Sequence, residues 1–253
     1  MTDVLPIETW QRSAFEPGAR NVFQLFCFVT GPLADVPMSA LRFGLPSTNA
    51  MNGVEVQEIP RSADPQWFDG FRSGALRTLA TEALGDAMQA FDTADRLAVV
   101  LIDTPDTADL GHVQAGWALA KWLVARGASV VLDAQSNRFW KGAELADWPT
   151  RRPFALSVDV NVIVEAEPEA SVAIVHTRGL QKFGRPDLVV LDVPADRWDP
   201  VAGILRVLAA QSADGRCFKP GERVTVGVDP ILFSAFTSKA LHLNNEALVV
   251  AAG

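Results

Sequence analysis

The sequence predicts an α/β fold of mixed α+β character: helices packed on a mixed parallel and antiparallel sheet that includes one βαβ unit. Three observations predict it. Leu97–Ile102 (L-A-V-V-L-I) is an unbroken apolar run, the pattern of a strand covered on both faces. A helix-period stretch and a second apolar run, Val130–Leu132, follow it, so strand, helix and strand fit within about 37 residues, and such a crossover is right-handed. Beyond residue 153 the pattern becomes strand-rich, with β-branched runs bounded by Gly and Pro.

Taken in order, residues 1–20 read as an irregular lead-in containing Pro6, Pro17 and Gly18. Asn21–Thr30 is apolar at nearly every position and reads as a buried strand ending at Gly31-Pro32. Ala40–Leu45 and Val54–Ile59 read as shorter strands joined in a hairpin, because Asn52-Gly53 tolerates positive φ. Asp64-Pro65 opens a helix, an N-cap acceptor followed by proline at the first position. Its period runs on to Phe91, and Gly85 is placed to split it.

Asp109 is placed to cap the helix Leu110–Ala125, in which Leu110, Val113, Trp117, Ala120 and Val124 form one apolar stripe. Gly127 supplies a left-handed stop. Ser136–Trp148 reads as a looser helix. Phe154–Glu165, Val172–Val175 and Leu188–Val193 read as strands. Asp199-Pro200 opens a helix through about Ala210, and Pro220-Gly221 turns into Val224–Val228. Ile231–Phe236 is a further strand, and Leu241–Leu243 with Ala247–Ala251 reads as a closing hairpin.

At 253 residues and 49% hydrophobic, the chain has material for a large core and is not disordered. The expected organisation is a single α/β domain over 21–253, with Trp148–Pro153 as a subdomain boundary. The net charge of −8 repels phosphate backbones and so disfavours nucleic acid. No apolar run reaches membrane-spanning length, and no basic cluster addresses an anionic membrane surface. Two cysteines, Cys27 and Cys217, make no disulfide framework. With no signal-peptide pattern at the N-terminus, a reducing cytoplasm is expected.

The densest stretch is Ser171–Pro194, two apolar runs around a polar turn holding His176, Arg178, Lys182 and Arg185. Gly179 and Gly184 have the spacing of a phosphate loop, but Arg185-Pro186 stands where Lys and a hydroxyl residue are required, which argues against a nucleotide site. Two readings of the turn remain. Arg178, Lys182 and Arg185 form an anion site, or they pair with Asp187 and Asp192 and fix the backbone. A second candidate lies at the strand ends. Asp103 and Asp133 flank His112, either as an acid–base group or as ordinary capping residues.

No metal is expected on the histidines and cysteines: His112, His176 and His242 are scattered and no CxxC occurs, which argues against structural zinc. The carboxylate-rich loop Asp103–Asp109 leaves a Mg²⁺ or Ca²⁺ site open, although it lacks the Gly and terminal Glu of an EF-hand loop. No G-x-S-x-G and no G-x-G-x-x-G occurs, so neither a hydrolase elbow nor a dinucleotide fingerprint is present, and no cofactor is expected.

The segment H-T-R-G-L-Q-K-F-G-R-P-D-L (His176–Leu188) resembles the motif H-T-x-G-[LM]-x-x-F-G-x-P-[DE]-L of a bacterial family, domain of unknown function 4261. The helix leading into a G-A-x-x-V strand (Ala118–Leu132), the segment Phe139–Trp140 and the P-G-[ED] turn (Pro220–Glu222) are similar as well. The resemblance covers residues 20–250. It implies one mixed α/β unit, no assigned activity and, by analogy with such bacterial families, an interaction or immunity role. Two functions are therefore carried forward. One is a non-catalytic, cytoplasmic interaction or secretion-associated module with a basic protein partner. The other is a hydrolase or small-anion-binding enzyme centred on His176, Arg178 and Arg185, or on Asp103, His112 and Asp133.

Overall fold

The computed structural model describes residues 7–46, 48–166, 170–236 and 246–252, and within them helices and strands are combined as the sequence predicts. They divide into two compact units. The first comprises Val22–Thr104 and Asp109–Phe154 with the segment up to Gln11. The second comprises Arg12–Asn21, Pro105–Ala108 and the chain from Ala155 onward. The main division thus falls one residue past the Trp148–Pro153 stretch.

The first unit is built on β1 (Asn21–Val29), the helical turn α1 (Ala40–Phe43), β2 (Val54–Pro60), α2 (Pro65–Gly70), α3 (Gly74–Leu84), α4 (Met88–Thr93), β3 (Arg96–Thr104), α5 (Gly111–Ala125), β4 (Ala128–Asp133), β5 (Arg138–Lys141) and α6 (Gly142–Ala146). Its sheet has the order β2-β3-β1-β4-β5. The strand–helix–strand order β3-α5-β4 is present, with β1 lying between its two strands.

β1 is apolar at all but Asn21 and Gln24 because both of its faces are covered. Phe26 and Phe28 join a cluster with Phe68, Ala80, Leu84 and Phe91 from the helices α2, α3 and α4. On the other face Phe23 packs edge-on against Trp117 of α5, with ring centroids 5.4 Å apart. The approach of α5 depends on Gly116, where an added Cβ would stand 2.5 Å from Phe23 Cε1. Gly116→Val is therefore expected to lower stability by about 1–3 kcal/mol, read as a lower denaturant midpoint. Cys27 is fully buried in this core, and burial alone pushes its thiol up to about 12. It is the inert thiol expected, and it should resist thiol reagents until the chain unfolds.

Several local expectations are met. Asp64 Oδ1 accepts from Trp67 N at 2.9 Å, capping α2. Gly85 breaks the long helical pattern between α3 and α4. Gly127 takes φ +117° after α5. α5 begins one residue later than expected, with Leu110 rather than Asp109 at its N-cap, and Asp109 Oδ1 accepts from Gly111 N at 2.9 Å.

Two expectations are corrected. Ala40–Phe43 is a helical turn, because Ser39 Oγ accepts from Arg42 N at 3.2 Å and Gly44 closes it at φ +89°. The hairpin expected around Asn52-Gly53 is thereby lost, and β2 pairs antiparallel with β3 instead. Arg138–Lys141, expected to be helical, is a strand because it finds β4 as antiparallel partner, and only Gly142–Ala146 is helical.

The second unit contains the turn α7 (Leu156–Asp159), β6 (Asn161–Glu165), β7 (Val172–Arg178), β8 (Asp187–Pro194), α8 (Trp198–Ala213), β9 (Arg223–Val226), β10 (Asp229–Phe236) and β11 (Ala247–Ala252). Its sheet, ordered β6-β7-β8-β11-β10-β9, is mixed: β8 and β11 are parallel and the other neighbours antiparallel. α8 packs on β6, β7 and β8. Phe154–Glu165, read as one strand, is a helical turn followed by β6. The first arm of the closing hairpin, Leu241–Leu243, and His242 lie outside the described residues. β11 has β10 and β8 as its partners.

Candidate functional site

The turn between β7 and β8 is a single 3-10 turn, Leu180–Phe183, held at both ends by glycine. Gly179 takes φ +114° and Gly184 φ +67°, conformations that disfavour side chains. Both are also crowded. A Cβ on Gly179 would lie 2.2 Å from Asp159 O, and one on Gly184 2.8 Å from Ala19 O. The phosphate-loop spacing of the two glycines is thus accounted for by backbone geometry.

Two cations of the turn, Lys182 and Arg185, are buried and matched to carboxylates. Lys182 and Asp159 have fully buried side chains, with Nζ 3.1 Å from Oδ1. Arg185 Nη1 is 2.6 Å from Asp106 Oδ2 and also donates to Phe183 O at 3.1 Å and Gly184 O at 3.2 Å. Nη2 donates to Glu16 O and Gly215 O at 2.8 and 2.6 Å, and Nε donates to Arg216 O at 3.0 Å. A guanidinium has five N–H donors, and protein acceptors surround this one on every edge.

Asp106 is the hub of that cluster. Its Oδ1 accepts from Arg12 Nη1 at 3.0 Å and from Thr107 N at 3.1 Å, and its Oδ2 also accepts from Gly18 N at 2.9 Å. The expected partners were Asp187 and Asp192. The charge of Asp187 acts on Arg178, and Asp187 also accepts from Thr177 Oγ1 at 2.9 Å and Leu180 N at 3.3 Å, while Asp192 sits in an exposed left-handed position at φ +53°. Arg178 is half-buried, and burial lowers its pKa against the pull of Asp187 and Glu165.

His176 is 1% exposed. Its Nδ1 is 3.2 Å from Thr177 O and its Nε2 is 3.4 Å from Glu165 Oε2. Burial lowers its pKa, outweighing the carbonyl of Thr177 and the carboxylate of Glu165. The folded ring therefore stays neutral to lower pH than the unfolded one. The unfolded state takes up more protons, so stability falls as pH drops below about 6.5 and through the folded value. His176→Gln is expected to flatten that fall, measured as denaturant midpoints across the acid range.

All three strand-end candidates lie in the first unit. Asp133 is fully buried, and its Oδ1 accepts from Gln135 N at 3.0 Å and Ser136 N at 3.2 Å, which shapes the turn from β4 into β5. Asp103 is exposed, and its backbone N–H bonds Gly53 O at 3.0 Å. His112 is buried in the first turn of α5. Among the described residues no group of three metal-ligating side chains occurs, and no helix is long and apolar enough to cross a membrane.

A groove that the sequence reading missed opens on the sheet of the first unit. It has a volume of about 150 Å³. Phe26, Val99 and Leu101 form its apolar floor, Glu55 and Gln57 of β2 its polar rim, and Trp67 of α2 its wall. Trp67 is 40% exposed, although its ring packs edge-on against Phe71 at 5.1 Å. The sequence signal was available: Glu55 and Gln57 alternate with Val54 and Val56, the pattern of a strand with one wet face.

No family model, curated protein or solved structure matches this chain.

Proposed function

We propose that this chain is a non-catalytic interaction module of the bacterial cytoplasm, one of the immunity or secretion-associated proteins that bind a basic protein partner. Its kinship with the domain of unknown function 4261 family, on the His176–Leu188 motif, belongs to the same reading. One observation carries it: Lys182 and Arg185, the motif's strongest candidates for chemistry, are buried against Asp159 and Asp106 and hold the second unit together. A motif spent on internal ion pairs supports a scaffold role. The net charge of −8 favours a partner of opposite sign.

The test is affinity capture with the full chain at physiological salt, followed by calorimetry on the purified pair. A saturable complex with a basic protein, unchanged by His176→Gln, is the expected result. Absence of any partner, or an enzymatic turnover abolished by His176→Gln, would overturn the reading.

A further inference from the structure

We propose that the free edge of β2 takes up an extended basic segment of the partner protein, with a lysine or arginine side chain entering the groove between Glu55 and Trp67. The inference rests on the interaction-module reading above and specifies its occupant.

β2 is the outermost strand of the five-stranded sheet, and most of its residues are exposed. One row of its backbone N–H and C=O groups points away from β3, and such a row is a template for an added strand. The register fixes which side chains would neighbour that strand on the groove side. Glu55 lies across from Leu101 and Gln57 across from Val99, and all four line the groove. Side chains of an added strand alternate between faces, so every second residue falls on the groove side.

The groove selects by chemistry. Phe26, Val99 and Leu101 suit the methylene stem of a long side chain. Glu55 and Gln57 offer acceptors to its cationic head, and Trp67 offers an aromatic face to the same charge. Glu58, on the same strand, lies 3.6 Å from both Arg96 and Arg126. Glu55 forms no ion pair among the described residues. The volume of about 150 Å³ accommodates one side chain and falls below the roughly 300–1,000 Å³ of pockets for drug-sized molecules. A second copy of the chain would bring the same Glu55 and the same net charge of −8 to this edge, and like charges oppose it.

The test titrates the full chain with a short synthetic peptide alternating lysine and threonine, followed by the Trp67 indole N–H resonance and by calorimetry. Expected results are a shift of that resonance and an affinity that falls with salt. Trp67→Ala should weaken binding about thirtyfold and Glu55→Gln about fivefold. The exposed Gln57→Lys, which leaves the apolar packing intact, should abolish it, and N-methylation of alternate peptide amides should do the same. The proposal is overturned if these variants bind unchanged, if a glutamate–threonine peptide binds as well, or if sedimentation shows the chain pairing with itself along this edge. A natural partner still captured by the Glu55→Gln and Gln57→Lys baits sinks this site and leaves the module reading standing. Failure of the unaltered chain to bind either the peptide or any partner sinks both.

Discussion

Asp106→Asn is expected to lower the stability of the second unit by about 3–5 kcal/mol, because it leaves two buried guanidinium groups facing a neutral amide. Asp106 accepts from Arg12 on one oxygen and Arg185 on the other, and all three side chains are almost fully buried. Desolvating those cations is tolerable only while the carboxylate is present. The same carboxylate also accepts from Gly18 N, so the substitution loosens the 12–21 segment within its unit. The measurement is a urea midpoint with hydrogen exchange at the amides of Gly18 and Ala19. Asp69→Asn provides the contrast. Its partner Arg61 lies at 2.5 Å, but both side chains are more than 40% exposed, and solvent screening should leave the midpoint almost unmoved. Equal effects of the two substitutions would contradict the assignment of Asp106 as the hub.

The second large effect concerns Lys182 and Asp159. Asp159→Leu alone leaves a fully buried ammonium without its carboxylate and is expected to cost about 3–5 kcal/mol. Lys182→Met alone leaves a buried carboxylate and should cost a similar amount. The double substitution should recover most of the loss, since an apolar pair of similar volume removes both desolvation penalties. A double-mutant cycle by denaturant unfolding checks this, and additive losses would show that the two groups do not act as a pair. Recovery of stability with the motif's lysine removed would also support a structural role for the His176–Leu188 stretch. Partner capture should then survive in the double variant.

These effects explain why the motif could be seen in the sequence but not interpreted from it. The glycines, the cations and the flanking strands were all visible. Their spacing suggested a cradle for an external anion, because sequence supplies candidate partners only from nearby. Asp106 lies some eighty positions before Arg185, and Asp159 comes before β6. The folded chain brings both into the turn, while Asp187 is turned inward to bond Thr177 and Leu180. The groove was hidden for a similar reason. Trp67 carries no mark in the sequence that sets it apart from the buried Phe68 beside it, and only the folded chain leaves it exposed.

What the sequence determined by itself was whatever local chemistry decides. The apolar runs of β1, β3 and β4 are strands because continuous burial demands them. Asp64-Pro65, Gly85 and Gly127 mark helix ends because caps and left-handed φ are properties of single residues. Short segments with weak local preference went the other way. Ala40–Phe43 coils because Ser39 and Gly44 cap it, and Arg138–Lys141 extends because β4 offers it a ladder. Strand order, the place of β2 at the edge of its sheet among the described residues, and the carboxylates that neutralise Lys182 and Arg185 were decided only by the tertiary structure. Each depends on contacts between residues far apart in the chain, and no local preference encodes those.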